Sequence, residues 1–371
     1  MSSVAENVIV PADPSVFRSV FLYVGQGDST LHVVPDENGT RKFVLVDINL
    51  DAKRDGTDVV RLLEDLLPKD SSGKPTLDLF INTHPHNDHI CGLDEVNKRI
   101  RVKEVWHTGF EPSDVHSGNY KHLVRLTEEV RRREGGDAVF EYQGTRKDTA
   151  IGAVDAHIVS PARHVKDEIN DLSGEERDAR IHEYCGVIRL GYGSETTRRH
   201  VLHTGDSDRC AWEKHILGED DYHADRLPSA VVNASHHGSR SFFKVSEDDK
   251  PYEHHIETID PTWVVISSPK QQESPHGHPH GDAVGLYEKH VRGGCAANVI
   301  TIGVSKAARI YDVYPDGTHL MDDDGGELVD EYKLGGDDDG GASGKNAAAV
   351  SAPAVITQVD RSRPMGAKKS P

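Results

Sequence analysis

Residues 77–89 read LDLFINTHPHNDH, and this stretch decides the fold class. Its first half is an apolar run that predicts a buried strand. Its second half places His84, His86, Asp88 and His89 within six positions. Neutral imidazoles and carboxylates are good ligands for zinc and similar divalent ions. Four donors exceed the needs of one tetrahedral ion with an open position, so the pattern predicts His84 and His86 on one metal and Asp88 and His89 on a second. The alternative is a polar surface loop.

Two later segments carry the same kinds of donor at predicted strand ends. The sequence HTGD follows a strand predicted over 200–203, so Asp206 is placed where a carboxylate can bridge two ions. The sequence SHHGS follows a strand predicted over 230–233. Adjacent histidines after a buried strand are not expected to point into one site. We therefore expect His236 to bind the second metal and His237 to pack or hydrogen-bond nearby.

The composition narrows the class of protein. The chain has 371 residues, a formal net charge of −19 and 36% hydrophobic residues. No apolar run approaches the roughly 20 residues of a membrane span, and the N-terminus lacks the pattern of a secretory signal. Its four cysteines form no CxxC pair, which indicates neither a disulfide framework nor a thiolate zinc finger. These features predict a soluble, cytoplasmic protein that makes no membrane contact.

Apolar β-branched runs alternate with helical patterns, such as those over 57–67 and 120–133, and this predicts layered α/β structure. We expect an N-terminal extension over 1–15, a catalytic domain over 16–320 and a tail over 321–371. The tail is acidic to residue 340 and then basic. Its composition predicts that it is largely disordered, either as a solvated tail or as an arm that binds a partner protein.

Several segments together resemble a metallo-β-lactamase-fold hydrolase, in particular the branch related to the hydrolase domain of the competence protein ComEC. They are VGQGDS (24–29), LVD (45–47), the HxHxDH stretch with Gly92, TGD (204–206) and SHHGS (235–239). The resemblance runs from about residue 17 to about residue 303. It implies a four-layer αββα sandwich with a dinuclear metal centre at one edge. The implied ligands are His84, His86, Asp88, His89, Asp206 and His236.

The chain departs from the superfamily at the third histidine of the first metal. Most members supply it from between HxHxDH and the bridging aspartate. The candidates here are His157, His164 and His182, and none lies in a recognisable motif. We expect His164, which closely follows Ser160-Pro161, to be the ligand.

The resemblance also implies roles around the metals. Gln26 and Ser239 would contact the substrate, and Asp28 would orient a ligand histidine by accepting its second N–H. Asp47 invites the same interpretation. An ordinary β-turn is the alternative for residues 25–29.

A second histidine-rich stretch, SPHGHPH over 274–280, matches a Gly-His-Pro segment of the family. This match implies that His278 reaches into the active site to bind or protonate a substrate oxygen. His276 and His280 are the weaker candidates, and a plain loop is the alternative.

The expected chemistry is metal-assisted hydrolysis. Two divalent ions, zinc first and manganese or iron as alternatives, would hold a bridging water and generate hydroxide near neutral pH. Asp88 would orient this nucleophile, and His278 would stabilise the developing oxyanion or protonate the leaving group. The ComEC-like branch favours phosphodiester substrates, either DNA or a small nucleotide, although the acidic charge disfavours loose binding to a long polyanion. The alternatives are a lactone, thioester or β-lactam hydrolase, and a non-catalytic metal-bound scaffold.

Overall fold

The structure is a computed structural model that describes residues 2–50, 55–142, 149–161 and 165–334. His164 and the tail from residue 335 lie outside these residues. The strands of the described part are β1 (Phe17–Phe21), β2 (Thr30–Pro35), β3 (Arg41–Val46), β4 (Thr76–Ile81), β5 (Arg101–His107), β6 (Val139–Glu141), β7 (Thr149–Ile151), β8 (Val154–Ser160), β9 (Val187–Tyr192), β10 (Arg199–His203), β11 (Val231–Asn233), β12 (Trp263–Ile266), β13 (Val299–Thr301), β14 (Ala308–Val313) and β15 (His319–Gly325).

The helices of the described part are short apart from one of 17 residues. They are α1 (Val4–Ile9), α2 (Val59–Leu66), α3 (Asn87–Ile90), α4 (Leu93–Arg99), α5 (Gly118–Glu134), α6 (Val165–Asn170), α7 (Gly174–Glu183), α8 (His254–Ile259), α9 (Gly281–His290), α10 (Ile302–Ser305) and α11 (Gly326–Glu331). Side-chain caps fix two of the starts, since Asp58 accepts the Arg61 amide before α2 and Ser117 accepts the Tyr120 amide before α5.

The strands form two sheets. The first has the order β15-β14-β1-β2-β3-β4-β5-β6, and the second has the order β13-β12-β11-β10-β9-β8-β7. Strands β3 to β6 pair in parallel, as do β10 to β13, and the other pairs are antiparallel. Neighbouring parallel strands end at the same edge of their sheet, so the loops that follow them lie side by side.

Three apolar clusters separate four layers. Leu45 lies in the cluster between the first sheet and α1, α2, α4, α5 and α11. Val46 and Ile188 lie in the cluster between the two sheets, and Leu202 lies in the one that joins the second sheet to α8 and α9. The central strands of both sheets therefore bury both faces, as a central layer must. This arrangement confirms the predicted αββα sandwich.

Both ends of the described chain belong to this sandwich, which differs from the expected bounds at 15 and 320. Ala5 and Ile9 of α1 are fully buried in the helix layer. Strand β15 pairs antiparallel with β14, and Leu328 and Tyr332 are buried in the same layer. The acidic composition of residues 319–331 hides this role, because an edge strand pairs through its backbone and needs no apolar sequence pattern to do so.

Among the described residues, no helix combines the length and the apolar character that a bilayer crossing requires.

Candidate metal centre

The predicted donors converge at the edge where parallel strands of both sheets end. His84 follows β4, and Asp88 and His89 lie on the short helix α3. Asp206 follows β10 of the second sheet, and His237 follows β11. The side chains form two main groups. Within each group, the potential ligand atoms all lie within 4.8 Å of one another. The first group is His84, His86 and His182, and the second is Asp28, His89, Asp206 and His237.

The first group consists of imidazoles alone. His86 Nδ1 lies 3.0 Å from His182 Nε2, and the rings of His84 and His86 have centroids 4.6 Å apart. His84 is fully buried, and burial lowers its pKa well below 6.5. Burial and the neighbouring His236 and His86 rings lower the pKa of His182 to about 3. These two rings are therefore neutral at pH 7, which is the form that binds metals.

The second group is richer in carboxylates. His89 Nε2 lies 3.1 Å from Asp206 Oδ1, and His237 Nε2 lies 3.6 Å from the same oxygen. Burial lowers the pKa of His89, but the charges of Asp206 and Asp47 outweigh it and hold this pKa well above 6.5. The pKa of His237 rises to about 9, because Asp206 and the hydrogen bond with Asp88 outweigh burial. Without metal, this group holds imidazolium cations against carboxylates.

Asp206 faces both groups. Its Oδ1 is turned to His89 and His237, and its Oδ2 lies 3.7 Å from His84 Nε2 and 3.5 Å from His236 Nε2. Burial raises the pKa of Asp206, but the surrounding histidines His236, His89 and His237 hold it well below its usual value. The carboxylate is therefore ionised and placed between the two donor sets.

Several atoms of the two groups are buried without a hydrogen-bond partner in the described part of the chain. They are Nε2 of His84, Nε2 of His89, Oδ1 of Asp206 and Oδ2 of Asp28. An unsatisfied buried polar atom costs about 1–3 kcal/mol, so several in one place need an explanation. Cations bound among them would satisfy all four. The residues present therefore fit a pair of divalent ions.

Asp47 anchors this edge through four hydrogen bonds. Its Oδ2 accepts from His89 Nδ1 at 2.8 Å and from the Thr83 hydroxyl at 2.6 Å. Its Oδ1 accepts from the Thr83 amide at 2.8 Å and from Asn82 Nδ2 at 3.0 Å. With Nδ1–H donating to Asp47, Nε2 of His89 carries the lone pair that faces Asp206 in the neutral ring. Asp47 is thus in hydrogen-bond contact with His89, and its orienting role stays a prediction.

Asp28 does not make the hydrogen bond expected of it. Its Oδ1 accepts from Asn233 Nδ2 at 3.1 Å, while its Oδ2 lies 3.7 Å from His237 Nδ1. The acceptor of that Nδ1–H is the Ser267 carbonyl, at 3.0 Å. Asp28 Oδ2 is instead one of the donor atoms of the second group. The turn before Asp28 lies close to α3. A Cβ at position 27 would be only 2.6 Å from the Asp88 carbonyl oxygen, and the glycine avoids this clash.

The structure places both His236 and His237 at this edge, where we expected His236 alone to bind a metal. His237, not His236, lies with His89 in the second group, whereas His236 lies with His182 and Asp206 in a third overlapping set. Both residues have left-handed backbones, with φ of 49° and 55°. The expectation assumed an extended backbone, in which adjacent side chains point to opposite faces. The left-handed turn brings both rings to the metal edge.

The third histidine next to His84 and His86 is His182, near the end of α7. His157 lies elsewhere, with its Nδ1 3.0 Å from Arg226 Nη1, and His164 is outside the described residues. The expectation for His164 relied on its place after Ser160-Pro161. His182 was a candidate. The sequence of α7 is mostly charged and buries only Ile181, so it shows no helical apolar pattern that would place His182.

A cavity of about 550 Å³ opens above the two groups. Gln26 and His278 lie in its wall together with Asp88, His236 and His237. Ser239 is not among the lining residues. Its hydroxyl accepts the Ser241 amide at 3.2 Å and caps a short turn, which explains why the SHHGS motif contains it.

A chain of hydrogen bonds fixes the tautomer of His278. The Ser274 hydroxyl donates to Gln26 Oε1 at 2.9 Å, which turns the Gln26 amide nitrogen towards His278 Nδ1 at 3.3 Å. Because Nδ1 accepts, the proton of the neutral ring lies on Nε2. Burial and the neighbouring histidines lower the pKa of His278 to about 3, so this ring is a neutral N–H donor at pH 7.

Comparisons with known proteins agree with this description. Residues 56–209 match the family model of the metallo-beta-lactamase superfamily. No curated protein matches the chain. CmlA, a diiron beta-hydroxylase from Streptomyces venezuelae, is 13% identical with a TM-score of 0.42 over 80% of this chain, which spans about half (54%) of CmlA.

Two smaller proteins align over nearly their whole length. Igni18, a metallo hydrolase from Ignicoccus hospitalis, is 11% identical over 82% of this chain and 98% of its own, with a TM-score of 0.39. YhfI, a metallo-beta-lactamase fold protein from Bacillus subtilis, is 12% identical over 75% of this chain and 94% of its own, with a TM-score of 0.38. The family match over residues 56–209 and the αββα sandwich show the metallo-β-lactamase fold, with the HxHxDH stretch at the edge of its sheets.

Proposed function

We propose that this protein is a dinuclear metal-dependent hydrolase of the ComEC-like branch and that it cleaves small phosphodiesters. The observation that carries the proposal is the convergence of buried, unpartnered histidine and aspartate atoms in two groups that share Asp206, directly below an open cavity. When bound there, two divalent ions supply Lewis acidity, which polarises the ester and lowers the pKa of water. Zinc fits the donors best, and manganese or iron also suit them.

Asp88 is the residue that we expect to orient the attacking water. Its carboxylate is about 31% exposed, lines the cavity and lies 3.2 Å from His237 Nε2. Burial raises the pKa of Asp88, but the hydrogen bond with His237 and the charge of His89 hold it below its usual value. Asp88 therefore remains an ionised acceptor, which aligns a water molecule through a hydrogen bond but is a weak base at neutral pH.

His278 stabilises negative charge in this proposal and does not act as an acid. Its neutral ring has a proton on Nε2, and Gln26 and Ser274 hold the ring at the cavity wall. A fixed N–H donor is effective where charge develops on a substrate oxygen. The earlier expectation that His278 protonates the leaving group is not favoured by a pKa of about 3.

The charge of the cavity favours a small substrate over DNA. Its described lining residues include Asp88, Asp114, Asp178 and Asp206 but neither lysine nor arginine. Binding of a long polyanion depends on such cations along its path. A substrate with one phosphodiester group needs charge compensation only at the metal groups.

The proposal is tested with protein stripped by a chelator and reloaded with zinc, manganese or iron. We expect metal-dependent cleavage of bis(p-nitrophenyl) phosphate, none of single-stranded DNA, and loss of the cleavage in Asp88→Ala. Asp94→Ala, which removes an aspartate from the neighbouring helix α4, is the matched control and should retain activity. A protein that binds no metal, or whose phosphodiester cleavage survives chelation, contradicts the proposal.

A carboxylic ester hydrolase is the second candidate, since an acidic cavity also accepts a neutral substrate. A generic lactone assayed in parallel separates the two. Turnover of the lactone without turnover of the phosphodiester would favour this candidate.

A further inference from the structure

One helix supplies neighbours for both nitrogen atoms of His86. Asp178 and His182 lie four residues apart on α7 and therefore share a face of the helix. His182 Nε2 lies 3.0 Å from His86 Nδ1, and Asp178 Oδ1 lies 3.5 Å from His86 Nε2. The imidazole of His86 is thus held between two side chains of the same helix.

The environment of His86 Nε2 determines which nitrogen carries the proton. Nε2 is buried and makes no hydrogen bond within the described part of the chain. The Asp178 carboxylate is the acceptor in reach, although 3.5 Å is long for a hydrogen bond. A proton on Nε2 that donates to Asp178 leaves the lone pair on Nδ1, which faces His182 and is the lone pair that a metal needs.

Asp178 is itself held in place. Its Oδ1 accepts the Ser113 amide at 3.1 Å, and its Oδ2 accepts the Ser113 hydroxyl at 2.6 Å. Ser113 belongs to the segment between β5 and α5, so the carboxylate is fixed by two separate parts of the chain. This fixed position lets a single carboxylate set the orientation of the His86 ring.

We propose that Asp178 is a positioning residue that fixes the tautomer of His86 and thereby sets the metal affinity of the first group. This inference rests on the proposed dinuclear site. It assigns no contact between Asp178 and the metal, because Asp178 acts through the imidazole. Removal of a carboxylate that orients a ligand histidine typically weakens metal binding about 10–100-fold.

The test uses the full chain loaded with cobalt(II), whose affinity is measured by competition with a chelator. We expect Asp178→Ala to weaken the ion of the first group about 10–100-fold and to leave the second ion unchanged. Asp178→Asn keeps an acceptor oxygen and should recover part of the loss. Glu176→Gln removes an exposed acidic group from the same helix and is the matched control.

A spectroscopic readout separates positioning from a general effect on the fold. The ring N–H of a cobalt-bound histidine gives a shifted proton resonance, and a hydrogen bond to Asp178 slows its exchange with solvent. We expect this resonance for His86, identified by its loss in His86→Ala, to persist in Glu176→Gln and to disappear by exchange in Asp178→Ala. Equal cobalt affinity and an unchanged resonance in Asp178→Ala would overturn the inference alone. A wild-type protein that binds no cobalt would overturn it together with the proposed function.

Discussion

The two donor groups lie side by side but differ in burial and in charge. The second group is entirely buried, contains two aspartates and stabilises its histidines as cations. The first group contains only imidazoles, and His86 and His182 are half-buried at the cavity. Its third ring, His182, is carried by α7, a helix that buries one apolar residue. The second group is therefore positioned by the core, whereas the first is completed by a peripheral helix.

This difference implies that the two ions are bound by different means. Carboxylates give the second group a strong attraction for divalent cations, but its histidines must first lose protons. The neutral rings of His84 and His182 are ready to bind, and the first group has no carboxylate of its own, only Asp206 and Asp178 as neighbours. We therefore expect the second ion to respond more strongly to pH and the first to respond more strongly to changes in α7.

The largest effect is expected at Asp206, which joins the groups. Asp206→Asn removes the charge that faces both ions and should reduce kcat/KM about 1000-fold, equivalent to about 4 kcal/mol. Steady-state hydrolysis with circular dichroism measures activity and folding together. Asp220→Asn, which alters an exposed aspartate, should behave as wild type. Near-normal turnover of Asp206→Asn would contradict its shared position.

Removal of one histidine from each group separates the two sites. His182→Ala should lower the metal content from about two ions per chain to about one, because three imidazoles become two. His237→Ala should have the same stoichiometry with the other ion lost. Elemental analysis after gel filtration provides the count. His157→Ala, which removes the other buried candidate, should retain both ions, and a loss there would place the third ligand elsewhere.

Asp47 offers a change confined to the second group. Asp47→Asn weakens the hydrogen bond to His89 Nδ1 and should lower the affinity of the second ion about 10–100-fold. The first ion should be affected less, since Asp47 reaches His84 only indirectly. Thr83 links it to His84 Nδ1, and Asn82 links it to the His84 carbonyl. Chelator competition measures both affinities. Equal losses would show that Asp47 supports the whole edge and not one group.

The smallest effect is the difference in proton release. The pKa of His237 rises to about 9 and that of His89 is held well above its usual value, so binding of an ion to the second group should release protons at pH 7. Binding to His84 and His182 releases none, since their pKa values lie well below 7. The affinity of the second ion should therefore rise between pH 7 and pH 9, and that of the first should not. Calorimetry in buffers of different ionisation enthalpy counts the protons, and equal release at both sites would refute the distinction.

The sequence pointed to two members of each group as metal ligands, namely His84 and His86 in the first and His89 and Asp206 in the second. Strands expected over 77–82 and 200–203 correspond to β4 and β10, and the motifs after them lie at one edge as predicted. The helix expected over 57–67 corresponds to α2, because its apolar residues repeat at helical spacing. Such apolar patterns predict which segments are buried, and all four residues of the second group are buried.

Features that do not depend on apolar patterning were missed. Helix α7 has a mostly charged sequence, so neither the helix nor the place of His182 could be inferred from periodicity. The left-handed backbone at His236 and His237 could not be inferred from residue type, because few non-glycine residues of any kind adopt it. Strand β15 pairs through its backbone while its sequence reads as an acidic tail.

The origin of the donors in both sheets has a mechanical consequence. His84 and His89 are carried by the first sheet and its α3 extension, whereas Asp206 and His237 are carried by the second. Ions bound by ligands from both sheets would cross-link the two halves of the sandwich and resist their separation at that rim. By mass action, bound metal would then add to the free energy of unfolding. Loss of the metal would let the rim unfold locally before the apolar interior opens. Hydrogen exchange at the rim amides would thus report how much metal the protein carries.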